Sequence, residues 1–275
     1  MRRFETTHTF DANALIKPWR QLDLLESEME AAETEYKLNK QALTRRRLDC
    51  SNGAGVNAYI MASGLIGTAR ENQKLLERTI MTHGVGVSPQ ATPNIIRPAL
   101  EAAAWALWII DGKDAQDRRL RGLQRSWEDH RQSNNWLEEL KPMLDSNEQE
   151  QAEQRRGEIS ACFREKARLA GIEWARVTKQ VSLTDELKKL SLLRSDETIR
   201  RTVVATWRKL SGVQHGFSYA ALLSSSHEDR HAVPVEGGWE VTLVSDDNSL
   251  LTDCQVSAFM QLSAMKAYTN ATRLS

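Results

Sequence analysis

The chain has 275 residues, ample for one large core, and its composition forces no division into domains. Its 37 basic and 37 acidic residues cancel, so no overall field draws it onto nucleic acid or an anionic membrane, and any RNA contact has to be local. Cys50, Cys162 and Cys254 are far apart and lack CxxC spacing, which predicts small, buried free thiols in a reducing compartment. Met1 to Phe10 has no apolar run and no stretch approaches the roughly 18 apolar residues of a membrane span, so the expected location is the cytoplasm.

Trp19 to Leu48 reads as one long helix, with Pro18 suiting its start. Leu22, Met29, Tyr36 and Leu43 recur every seven residues, and Leu25, Ala32 and Asn39 fill the interleaved seam. The seam fits equally a helical hairpin within the chain and a homodimer. Gly55 to Thr82 predicts an Ala- and Gly-rich second helix, and Gly84 to Pro93 a loop. Pro93 to Gly112 is apolar nearly all round and predicts the central buried helix. On it Arg97 and Glu101 stand four apart with Trp108 on nearly the same face: either an ion pair against an aromatic wall or an ordinary surface pair.

Lys113 to Leu140 and Glu148 to Val181 predict charged outer helices, the first with Leu120, Leu123, Trp127 and Trp136 inward. The Arg118-Arg119-Leu120-Arg121 run reads as part of a mixed solvated face, since Glu128 and Asp129 follow it. Thr184 to Leu193 predicts a short helix and Asp196 to Leu223 a longer one. Beyond three serines the texture alternates, from Ala232 to Val235 and from Trp239 to Val244, joined across Gly237-Gly238, which predicts a β-hairpin near 230–245. Asp246-Asp247 then suits the cap of a last helix. No Gly-rich phosphate loop occurs, which argues against ATP or NAD chemistry and implies no cofactor.

Chemistry concentrates in Trp207 to Gly216, where Arg208 and His215 lie seven residues apart, nearly two helical turns, and so project in almost the same direction. An arginine fork matches a phosphate, and an imidazole ordinarily titrates at about pH 6.5, within reach of a proton transfer at neutral pH. The spacing by itself selects nothing, because Arg2 and Arg3 stand similarly before His8, Arg78 before His83 and Arg125 before His130. A second pattern, His227-Glu228-Asp229-Arg230-His231, satisfies HExxH and would place His227 and His231 as zinc ligands with Glu228 as base; its charged setting reads equally as a solvated loop.

The segment Ile96-Arg97-Pro98-Ala99-Leu100-Glu101 taken with Trp207-Arg208-Lys209-Leu210-Ser211-Gly212-Val213-Gln214-His215-Gly216, a short β excursion and a terminal helix, resembles a group of bacterial helical proteins distantly related to the HEPN superfamily. The likeness covers about Arg70 to Thr269. It implies that Arg208 and His215 act as a metal-independent ribonuclease pair at a site commonly shared by two protomers, and that the protein is a toxin or antiphage effector with a cognate antitoxin or partner protein. Lys209 departs from the Asn, Asp or His that active members often carry after the arginine. In such a site His215 would exchange protons with the ribose 2′-OH and the leaving oxygen, Arg208 would stabilise the phosphate charge, and Arg97 and Glu101 would orient them.

The expectation is therefore an all-α, multi-helix up-and-down bundle with a long N-terminal helix: an N-terminal helical extension over 1–48, serving as a dimerisation or hairpin arm, and a HEPN-like domain over 49–275 carrying a small β-hairpin before the C-terminal helix. The alternatives are a non-catalytic module binding protein or nucleotide through the same groove, and a zinc hydrolase built on His227 and His231.

Overall fold

The computed structural model describes residues 11–51, 53–83, 91–217, 220, 231–235, 238–242 and 246–273, with the backbone alone for 83, 231–235 and 238–242. In chain order these form α1 (Asn13–Leu38), α2 (Arg45–Cys50), α3 (Ala54–His83), α4 (Ala91–Ile110), α5 (Ala115–Leu140) and a 3-10 turn (Lys141–Met143). There follow α6 (Ser146–Leu169), α7 (Trp174–Val177), α8 (Leu183–Leu187), α9 (Ser191–Arg194), α10 (Glu197–Gln214), the strands β1 (His231–Val235) and β2 (Gly238–Thr242), and α11 (Asp247–Thr272).

Short polar side chains start these helices by accepting from amides that have no partner in the first turn. Asp114 accepts from Asp117 N, Asp196 from Thr198 N and Ile199 N, and Asp246 from Asn248 N and Ser249 N. Asp145 and Glu148 form a reciprocal capping box at α6. Three helices end earlier than their periodicity suggests. The helix predicted over Trp19 to Leu48 is two: α1 stops at Leu38, and buried Thr44 caps α2 through a 3.1 Å bond from Arg47 N. The helix predicted over Glu148 to Val181 stops at Leu169, because Gly171 (φ 64°) turns the chain and Ile172 N reaches back 2.9 Å to Ala167 O. Gly216 (φ 70°) ends α10 in the same way, short of the expected Leu223, with Phe217 N bonded at 2.9 Å to Gly212 O.

The described residues are overwhelmingly helical, as an all-α class requires, but the expected single up-and-down bundle with a small β-hairpin needs correction. The chain gathers into two compact units, residues 1–30, 65–107 and 183–266, and residues 31–64, 108–182 and 267–275. The β1/β2 ladder is antiparallel with Val235 opposite Gly238, so Gly238 is a strand residue and not half of a Gly237-Gly238 connection. Glycine accepts extended backbone as readily as a turn, so a Gly-Gly pair does not say where the turn lies. Five residues on a side joined to no further strand among those described make no sheet layer that could carry a core.

In the first unit α1, α3 and α11 meet through a buried polar chain: Trp19 Nε1 donates to Gln73 Oε1 (3.3 Å), and Gln73 Nε2 to Ser257 Oγ (2.8 Å). Arg70 bonds Asp23 and Glu26, and Lys74 bonds Glu26. Burial alone would raise the Glu26 pKa, but hydrogen bonds from Lys74 and Arg70 outweigh it and hold the carboxyl below its ordinary value. Leu22, Leu25 and Ala32 of the heptad seam are buried by the chain itself, whereas Leu43, beyond the end of α1, is 72% exposed. The seam therefore packs in cis, and it gives no argument for a coiled-coil dimer.

In the second unit Leu120 and Leu123 of α5, Phe163 and Ala167 of α6, and Ile172 and Val177 form a core flanked by Trp127 and Trp174. Trp136, expected inward, is exposed, as is Cys162. The arginine run 118, 119, 121 is no solvated face. Arg118 grips Asp49, Arg119 binds the carbonyls of Leu48 and Asp49, and Arg121 binds Trp108 O (2.6 Å). Arg47 likewise bonds the carbonyls of Tyr36 and Asn39 at the end of α1. Guanidinium groups here satisfy last-turn carbonyls that the helices cannot pair themselves.

Candidate functional site

The site residues stand on α10 and are sorted by its turn. Trp207 and Leu210 are buried; Trp207 Nε1 donates to Thr184 Oγ1 (3.0 Å). Lys209 turns toward α11, where Nζ lies 2.8 Å from Asp253 Oδ1 and also bonds Ser249 Oγ. Arg208, between them in sequence, falls on the outer flank and is exposed. Gly212 does not interrupt the helix: it is buried within it, and His215 is the C-cap residue (φ −85°, ψ 3°), its N–H bonded to Ser211 O at 3.1 Å.

Seven residues turn a helix through nearly two full circles, so Arg201, Arg208 and His215 each lie about 20° from the next around the axis and about 10.5 Å apart along it. All three are exposed, and they make a row down one flank of α10. At its foot the Phe217 ring is 52% exposed and lies 5.9 Å from the His215 ring, tilted by 37°. Glu197 pairs with Arg201 and Arg200, which tempers the charge at the top of the row. The row thus joins fixed cations, a titratable ring and an aromatic face, the groups that suit a phosphodiester backbone and an unstacked base.

Arg97 and Glu101 are brought near α10 but not into this row. Arg97 lies over the Trp207 ring at 5.0 Å and stands 3.7 Å from Glu101, with side chains 15% and 38% exposed. The aromatic wall expected from Trp108 is thus supplied by Trp207, because Trp108 faces Arg121 instead, at 5.1 Å. Arg97 backs the helix from its inner side and steadies the residue next to Arg208.

His227 and Glu228 lie outside the described residues. His231 opens β1 opposite Thr242. Among the described residues no His, Cys, Asp or Glu group could hold a metal ion, and no helix is long and apolar enough to cross a membrane.

Sequence reasoning selected Arg208 and His215 but missed Arg201 and Phe217. The first was legible as one more seven-residue step; the second was not, because its exposure follows from the turn at Gly216. Comparison with protein-family models, curated proteins and solved structures finds no match to this chain.

Proposed function

We propose that this protein is a metal-independent ribonuclease of HEPN type whose working edge is the Arg201, Arg208, His215 row. One observation supports this reading above the others: an exposed arginine and an exposed imidazole on the same flank of α10, with the exposed Phe217 ring beside the imidazole. In the proposed reaction the backbone phosphate sits against Arg208, and a base stacks on Phe217. The His215 imidazole takes the 2′-OH proton as that oxygen attacks the phosphorus, and a proton is returned to the departing 5′-oxygen.

A second reading, a silent binding module, is favoured by Arg97 and Glu101. They are engaged with Trp207 and with each other, as a structural cluster would be, and so add no further group to the row.

Purified protein incubated with total RNA in EDTA separates the two. On the first reading cleavage survives chelation and falls by about 10²–10⁴ in His215→Ala, the usual worth of a general acid or base, and falls also in Arg208→Ala, both variants remaining folded by circular dichroism. Intact RNA at high protein concentration overturns the ribonuclease. Retention of labelled RNA that weakens in Arg201→Ala would then mark a binding module.

A further inference from the structure

Lys209 is the residue at which the chain departs from the HEPN pattern, and it is committed inward. Its ammonium and the Asp253 carboxylate form an ion pair with side chains 13% and 3% exposed, between α10 and the second turn of α11. Ser249, four residues before Asp253 and on the same face, takes a further hydrogen bond from Lys209. Such a pair is expensive: removing two charges from water commonly costs more than their attraction returns, and apolar side chains of similar volume would hold the helices together as well. What an apolar pair lacks is direction. A point charge met by one carboxylate and one hydroxyl fixes the rotation of α10 about its axis, and that rotation decides where the preceding residue, Arg208, points.

We infer that Lys209, Asp253 and Ser249 act as a positioning latch, which locks the rotational setting of α10 so that Arg208 and His215 stay on the solvent flank. The use of this latch in RNA chemistry rests on the proposed function; its existence does not.

Burial also governs the charge on Asp253. Burial drives the Asp253 carboxyl up to about 6, against the opposing pull of Lys209, while Asp246 pushes it further in the same direction. The charged groups that act on it are Lys209 of α10 and Asp246, the residue just before α11. The folded carboxyl thus binds its proton more readily than the unfolded one, so acidification through pH 6 does not weaken the fold through this group. By the same linkage, opening the buried carboxyl to water would lower its pKa, so acid does not by itself release the latch.

Hydrogen exchange over 208–217 tests this in the full chain, with wild type, Asp253→Asn and the doubly apolar Lys209→Met/Asp253→Leu. At pH 7.5 the latch predicts at least about tenfold faster exchange in both variants, a loss of roughly 1.4 kcal/mol of local protection. Equal protection in all three proteins at pH 7.5 overturns the latch. RNA cleavage measured on the same proteins reports separately: wild type that never cleaves RNA removes the ribonuclease and leaves the exchange result standing. Active wild type with a latch predicts a lower kcat in Asp253→Asn with KM unchanged.

Discussion

At Asp49 a carboxylate with only 1% of its side chain exposed accepts from Arg118 Nε (2.6 Å), Arg118 Nη2 (2.8 Å) and Tyr59 Oη (2.7 Å). Arg118 Nη1 adds a bond to Gly112 O (2.8 Å), so both charges are met. Burial and the neighbouring Asp49 hold the Tyr59 hydroxyl protonated by raising its pKa. Arg118→Met leaves the carboxylate buried without its counter-ion and should lower the free energy of urea unfolding by about 3–5 kcal/mol; adding Asp49→Leu should restore much of that loss. His130 carries the opposite sensitivity. It is 8% exposed, its Nε2 lies 3.2 Å from Ser160 Oγ and 3.1 Å from Asn134 Nδ2, and its pKa is lowered by burial and then by Arg156, with Asp129 opposing. A native imidazole that resists its proton stabilises the fold above the unfolded pKa of about 6.5 and loses that contribution as pH falls below it. The urea midpoint should therefore drop between about pH 7 and 5, and His130→Gln should flatten that part of the profile.

α3 and α5 approach closely where glycine permits it. A Cβ at Gly122 would stand 2.4 Å from Ala58 Cα, which is backbone and cannot swing aside. At Gly157 on α6 a Cβ meets nothing within 4 Å. Alanine is the better helix former by about 1 kcal/mol, so Gly157→Ala should stabilise by roughly 0.5–1 kcal/mol. Gly122→Ala should instead destabilise by about 1–3 kcal/mol, as overpacking does. Thermal unfolding of the two variants side by side distinguishes contact from propensity; loss of similar size in both would show that the α3/α5 approach is not tight. These positions also show the reach of pattern reading. Gly171 was legible as a helix stop, being a glycine followed by a hydrophobic residue that closes the motif, yet periodicity carried the prediction past it. The stop at Leu38 was harder, because 39–44 has neither Gly nor Pro and the signal is a single capping threonine.

Across the whole molecule the heptad seam of α1 is filled by the chain's own residues, with Leu22 fully buried. Leu22→Ala should cost about 2–5 kcal/mol by cavity formation, and the loss should be the same at protein concentrations tenfold apart. A loss that shrinks as concentration rises would show a second copy on the seam. Helical character was legible because it follows from local spacing: the apolar run of α4, the seam of α1 and the capping aspartates all act within a few residues of themselves. The Arg208 and His215 direction was legible for the same reason, as a consequence of residues per turn. The role of the arginines was not. Arg118, Arg119 and Arg121 look alike along the chain, and only distant partners, Asp49, the Leu48 carbonyl and Trp108, make them internal. The latch follows the same rule, since Lys209 and Asp253 are 44 positions apart. Periodicity reports which side of a helix a residue takes, and the folded chain alone reports what waits there, because charge pairing and burial depend on neighbours that sequence distance does not encode.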